Sequence, residues 1–277
     1  MSSDSRWLVA AASVTGAGHA ATGDACQDAH AWRITAGGDL IVVVCDGAGS
    51  STRGGDAARF VTDTLCGAPS LETWLSEAHT EQDWRPFVES LFRQARAELV
   101  TFAERTDPSV AIDDFACTVQ IAVATDSALY VAHVGDGRAA ARFDASGDWV
   151  VLFVPERGDT ANETVFLSTR ISFDAAYWQS AAGCLPGRAN AVAMMTDGCE
   201  MTAFECYVAD GTNGFHDPNR PFPGFFNPVA DKLASFARDG IPQPDVDGRW
   251  EDFIRDGLPR FAAESDDRTM VFAVRKD

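Results

Sequence analysis

Basic residues are scarce in this chain of 277: 22 Lys and Arg face 41 Asp and Glu, for a formal net charge of −19. So negative a surface repels phosphate backbones and anionic headgroups, which argues against nucleic acid and membranes as partners. The seven cysteines (Cys26, Cys45, Cys66, Cys117, Cys184, Cys199, Cys206) include no CxxC pair and are odd in number. Neither a zinc ribbon nor a disulfide framework is suggested. Several lie in apolar runs, where a free thiol packs as a small hydrophobe, so a reducing compartment, the cytoplasm, is expected. Long apolar runs are missing as well. Near the N-terminus only Trp7–Val14 is apolar, too short for a membrane span, and Arg6 alone makes a poor signal-peptide flank. Internal repeats, heptads and low-complexity stretches are absent.

What is present reads as a globular enzyme, with 46% hydrophobic and 23% charged residues. Apolar runs of strand type occur at 7–14, 41–45, 117–124, 128–134, 139–143, 149–154, 191–195 and 270–274. Short polar links such as Asp126-Ser127 predict antiparallel hairpins in the middle third. Apolar spacings of three and four predict helices over 55–65, 84–104, 228–238 and 250–263. The stretch 200–249 is rich in Gly, Pro, Asp and aromatics and reads as loop with an embedded helix. The expectation is one α+β domain over 1–277, with a long surface excursion at about 200–249.

Acidic residues recur at strand ends. Ile41–Cys45 runs into Asp46-Gly47-Ala48-Gly49, Tyr130–Val134 into Gly135-Asp136-Gly137-Arg138, and Ala191–Met195 into Thr196-Asp197-Gly198. Ser265-Asp266-Asp267-Arg268-Thr269 leads into the last strand. A strand end supports a carboxylate rigidly, and a following glycine lets backbone approach a ligand. A single Asp-Gly pair is more often only a turn; four strand-edge acids in one domain weaken that account. If they converge, two carboxylates ~4 Å apart repel by roughly 4 kcal/mol at an effective dielectric near 20, so a cluster of four calls for cations. Oxygen ligands without His or Cys at metal spacing favour Mg²⁺ or Mn²⁺ over zinc. Two such ions would balance four carboxylates and activate a bridging water.

The ordered set Cys26-Gln27-Asp28-Ala29, Asp46-Gly47-Ala48-Gly49, Gly135-Asp136-Gly137-Arg138, Thr196-Asp197-Gly198 and Asp266-Asp267-Arg268-Thr269 resembles the metal-dependent type 2C serine/threonine protein phosphatases, in particular a bacterial branch with a CQDA opening. Asn162-Glu163-Thr164 with Phe166-Leu167, and Phe225-Phe226-Asn227-Pro228, are similar to that branch too. The resemblance spans roughly residues 13–274. It implies a four-layer α-β-β-α sandwich, two central antiparallel sheets flanked by helices, with the metals at one end. It further implies hydrolysis of phosphoserine and phosphothreonine in proteins by a metal-activated water at a binuclear Mn²⁺ or Mg²⁺ centre. Asp46 would bridge the two ions, the Gly47 carbonyl would bind one, and Asp197 and Asp266 the other. Asp28 would hold metal-bound water, which gives it and Asp46 the catalytic roles. Asp136 would serve a third, weaker ion, and Asp267 would stand behind the ligands. A phosphoprotein substrate and a cognate serine/threonine kinase are the implied partners. Two alternatives stay open: a phosphatase of a small phosphorylated molecule, and a catalytically weak regulatory or binding module on the same fold.

Several positions depart from the family pattern. Ala48 stands where some relatives carry a histidine proposed as general acid, and Gly23 leaves no phosphate-gripping arginine upstream of Gln27. His19, Arg53 and Arg138 are the candidates for binding phosphate, each with a structural role as the plainer reading. His133 lies on an apolar strand and reads as structural. Gly137 replaces the usual serine between Asp136 and Arg138.

Overall fold

The computed structural model describes residues 5–77, 79–144, 146–156, 164–168, 175–209, 211 and 214–276. Asn162 and Glu163 lie outside the described residues.

Strands β1 (Trp7–Val14), β2 (Ala29–Ile34), β3 (Leu40–Cys45), β4 (Val119–Ala124), β5 (Ala128–Val134), β6 (Arg138–Phe143), β7 (Trp149–Val151), β8 (Ala182–Pro186), β9 (Ala189–Met195) and β14 (Arg268–Arg275) build two five-stranded sheets. One has the order β1-β14-β9-β6-β7 and the other β2-β3-β4-β5-β8, and every pairing is antiparallel. Two small ribbons, β10 (Phe204–Glu205) with β13 (Arg220–Pro221) and β11 (Val208–Ala209) with β12 (Phe215–His216), stand apart from them. Helices α1 (Ala17–Thr22), α2 (Gly54–Cys66), α3 (Pro69–Ser76), α4 (Trp84–Thr106), α5 (Ala175–Ala181), α6 (Glu200–Ala203), α7 (Pro223–Arg238), α8 (Gln243–Asp256) and α9 (Pro259–Ala263) complete the chain. The α+β, four-layer expectation is met.

Period-two alternation of side chains sorts each strand between two cores. Ile41, Val43 and Cys45 of β3 face α2 and α4, where they meet Val61, Trp84, Phe92 and Leu99. Their neighbours Leu40, Val42 and Val44 face the other sheet. On the far sheet, Met270, Phe272 and Val274 of β14 point outward to Phe226, Leu233, Trp250 and Ile254 of α7 and α8, while Val271 and Ala273 point inward. The two outer cores are aromatic-rich; the layer between the sheets is built largely of alanine and valine. Two of the buried indoles are satisfied by backbone: Trp84 Nε1 donates to Val131 O (2.8 Å) and Trp250 Nε1 to Met270 O (3.0 Å).

The helices expected over 55–65 and 84–104 appear as α2 and α4. Within 200–249 the chain is more regular than its composition suggests. Helix α7 begins at Pro223, five residues before the expected start, because Phe225, Phe226, Val229, Leu233 and Phe236 form a continuous buried stripe while Pro228 faces solvent. Helix α8 likewise starts at Gln243 and ends at Asp256, with α9 a separate turn. Edge strand β2 has no strand-type signature, since His30, Trp32 and Arg33 are only half-buried. Among the described residues no helix is long and apolar enough to cross a membrane.

Candidate metal centre

Antiparallel register brings the acidic turns to one end of both sheets. Ala29 opposite Cys45 sets Asp28 beside Asp46. Met270 opposite Met195 sets the Asp266-Asp267 turn beside Asp197. Asp136 lies in the link by which the chain leaves β5 in one sheet and enters β6 in the other. Asp46, Asp136, Asp197 and Asp266 line a single cavity of about 360 Å³, together with Ala48, Gly49, Ser50, Thr118, Thr164 and Phe166. Larger hollows of about 480 and 630 Å³ lie against α7 and α9, but they are walled mainly by aromatic and aliphatic side chains and hold no carboxylate cluster.

The turns are held by backbone and threonine contacts. The Asp46 amide donates to Thr118 Oγ1 (3.0 Å), and the Thr118 amide donates back to Asp46 O (2.8 Å). Gly47 has no room for a side chain, because a Cβ there would fall 2.4 Å from the Gly54 carbonyl carbon and 2.7 Å from Gln27 O. Asp28 is buried and accepts the Thr196 hydroxyl (2.8 Å), while the Thr269 amide donates to the same Thr196 Oγ1 (3.0 Å). Thr118 and Thr196 were not singled out in the sequence. Thr196 precedes an Asp-Gly turn that was; Thr118 carries no local signal.

The carboxylates raise one another's pKa. Burial first, then Asp28, Asp197, Asp266 and Asp136, holds the Asp46 carboxyl well above the usual range. Burial, then Asp136 and Asp266, pushes Asp197 up to about 7. Asp28 and Asp266 move the same way, again chiefly through burial. Among the described residues no three Asp, Glu, His or Cys side chains close round one point tightly enough to hold an ion as they stand; the acids stand around the walls of the cavity. The donor set nevertheless fits a hard divalent cation. All its atoms are oxygens, and Asp197 Oδ1 is buried with no hydrogen-bond partner. An orphaned, buried carboxylate oxygen amid like charges is costly unless a cation meets it.

The remaining candidates fall elsewhere. Asp267 accepts the Gly16 amide (2.7 Å) and the Gln27 amide (2.6 Å), and His19 Nδ1 stands 2.9 Å from it. It clasps three segments together, and its hydrogen bond raises the His19 pKa. Arg53 is turned to Asp56 (3.0 Å) and Asp107 (3.8 Å). Arg138 is fully buried and bound to Glu200 (2.8 Å), Asp217 and Asn219, with Phe204 against its guanidinium. Those partners answer the charge that a phosphate would have answered, and neither arginine lines the cavity. His133 Nε2 donates to Val154 O (3.0 Å) and its ring stacks on Phe153, a neutral core histidine whose pKa burial lowers to about 4.

A family model described as protein phosphatase 2C matches residues 15–240. Serine/threonine-protein phosphatase 3 of Escherichia coli (strain K12) is 27% identical over 257 residues, covering 89% of this chain and 95% of that protein. Among solved structures, the serine/threonine phosphatase Stp1 from Staphylococcus aureus superposes with a TM-score of 0.55 at 14% identity, over 97% of this chain and 95% of that one. The catalytic domain of the serine threonine protein phosphatase PstP superposes with a TM-score of 0.57 at 16% identity, over 98% of this chain and 99% of that one.

Proposed function

The chain belongs to the protein phosphatase 2C family, and on that premise we propose that it hydrolyses phosphoserine and phosphothreonine in proteins at the carboxylate-lined cavity, with two divalent cations, Mn²⁺ or Mg²⁺. The observation that carries this reading is the gathering of Asp46, Asp136, Asp197 and Asp266 on one cavity with the buried Asp197 Oδ1 unpartnered. The PstP relative was crystallised in complex with two manganese ions, which supports the same stoichiometry for this site. Asp46 and the Gly47 carbonyl would hold one ion, Asp46, Asp197 and Asp266 the other, and Asp136 a third, weaker one. When bound, such ions supply a nucleophilic water at neutral pH and neutralise charge on the transferring phosphoryl group.

The chain's own groups do the rest. Asp28, fixed by Thr196 and beside Asp46 in the strand register, would accept a hydrogen bond from the attacking water and orient it. Thr118 locks the Asp46 backbone, so that the Asp46 carboxylate enters the cavity from a rigid support. Ala48 offers no proton to a departing serine or threonine oxygen, which leaves His19 or water to supply it. A phosphoprotein is the substrate, and the kinase that made the phosphoester is the expected functional partner. The test is turnover of p-nitrophenyl phosphate and of a phosphothreonine peptide. Activity with added Mn²⁺ or Mg²⁺, lost in chelator and restored by metal, is expected; equal turnover in chelator overturns the reading.

A further inference from the structure

One buried side chain outside the carboxylates reaches both of the turns that present Asp136 and Asp197. Gln120 sits on β4, opposite Val44 on one side and His133 on the other, and is 1% exposed. Its Nε2 crosses from that sheet to the facing one and donates to Met195 O at 2.9 Å, two residues before Asp197. The same nitrogen fills the space over Gly137, the residue after Asp136. A Cβ on Gly137 would fall 1.7 Å from Gln120 Nε2 and 2.9 Å from Met195 O. Gln120 Oε1 meanwhile is buried without a hydrogen-bond partner. An aliphatic residue at this position of a core strand would avoid that desolvation cost, so the unpartnered amide oxygen works against stability.

We propose that Gln120 is a positioning residue: its amide bonds the end of β9 from β4 across the two sheets while packing on Gly137 of the β5–β6 link, and so supports the spacing of Asp136 from Asp197, on which the cation affinity of the cavity depends. The inference rests on the metal-centre reading above. It makes positions 120 and 137 one unit. With Gln at 120, no side chain fits at 137. With 120 cut back, a serine at 137 is relieved of the Gln120 clash, though its Cβ still meets Met195 O and the end of β9 must give slightly to admit it.

The experiment measures Mn²⁺ binding by calorimetry, the unfolding temperature in chelator, and kcat and KM for p-nitrophenyl phosphate. The proteins are the parent chain, Gln120→Leu, Gln120→Ala, Gly137→Ser and the double variant Gln120→Ala with Gly137→Ser. Gln120→Leu keeps the volume and removes the donor. It is expected to unfold in chelator at or above the parent temperature, yet to lose about tenfold or more in Mn²⁺ affinity, with kcat falling and KM little changed at saturating metal. Gln120→Ala and Gly137→Ser each lose affinity, the first by releasing the tie and the second by steric conflict. The double variant is expected to lose less Mn²⁺ affinity than the product of the single losses, the non-additivity of two side chains in contact. A Gln120→Leu protein that binds Mn²⁺ like the parent overturns the proposal, as does a double variant whose loss is the product of the single losses. Should Gln120→Leu fail to fold, the double variant decides alone. A parent that binds no Mn²⁺ overturns the metal-centre reading and this inference with it; a binding parent matched by its variants overturns this inference only.

Discussion

Both ends of the β-sandwich carry aspartates in tight turns, and they differ in what answers the charge. At the end away from the cavity, Asp126 between β4 and β5 accepts Arg6 and the buried Arg275 (2.9 Å). Burial pulls its pKa up, but the two arginines outweigh it and leave Asp126 below the usual carboxylate range. At the cavity end, no Lys or Arg pairs with Asp46, Asp197 or Asp266 among the described residues, and every one of these acids is shifted upward. The same residue type in the same kind of turn is thus a finished ion pair at one end and an open demand for positive charge at the other. Self-answered charge is structure; unanswered charge, held rigidly, is capacity to bind.

The sharpest break of this contrast is Asp46→Asn. Losing the central anion should lower turnover at least ~100-fold, while unfolding in chelator shifts to higher temperature because one repelling carboxylate is gone. Normal turnover would reduce the Asp46 turn to a hairpin feature like that of Asp126.

Next come the two neighbours before β14. Asp266→Asn should weaken Mn²⁺ binding strongly with little effect on the metal-free fold. Asp267→Asn turns an acceptor into a donor facing the Gln27 or Gly16 amide, so it should cost about 1–3 kcal/mol of stability and leave metal affinity closer to the parent. The clasp of Asp267 on Gly16, Gln27 and His19 makes it the costlier of the two for folding. Titration of Mn²⁺ against both, with thermal denaturation, ranks them; the opposite ranking means the motif is misaligned by one residue.

The pH dependence carries opposite signs at the two ends. Asp197, near 7 in the fold and ordinary when unfolded, binds more protons in the native state, so in chelator its contribution falls as pH rises from about 4 to 7. The lowered Asp126 contributes stability present at neutral pH and lost only as pH falls through its native value. Between pH 5 and 8 in chelator, the unfolding temperature of the parent should therefore decline more steeply than that of Asp197→Asn. Parallel curves would deny the cavity carboxylates their mutual repulsion. The smallest effect is at the paired end: Asp126→Ala should cost roughly 1 kcal/mol, since its partners are partly solvent-screened, with turnover unchanged.

The turns at 46, 136, 197 and 266 were legible because a carboxylate at the end of an apolar run is a local pattern, and order along the chain supplied the rest. Strand register did the convergence, and register is not written locally. Arg138 shows the limit: a loop arginine beside an acidic motif suggested phosphate, yet its partners Glu200, Asp217 and Asn219 come from 62 to 81 residues away. Gln120 carried no signal either, since a lone polar residue in an apolar strand acquires meaning only from the facing sheet. Helix α7 runs through Pro228, where a proline predicts a start, because Pro228 sits on the solvent face and is harmless to the buried stripe.

Between the sheets, among the described residues, seven of the eighteen buried hydrophobic side chains are alanines, Ala122, Ala139, Ala141 and Ala273 among them. Two plates pressed together by such short spacers have almost no slack, and a shim slipped between them cannot be absorbed locally. An extra pair of methyls at Ala122 or Ala141 would tilt one plate against the other, with the gap opening widest at the rim. The rim is where the carboxylates stand. The narrow middle of the molecule is therefore a gauge block for the mouth of the cavity, and drift at sites that never touch a phosphate would be felt there as loss of calibration.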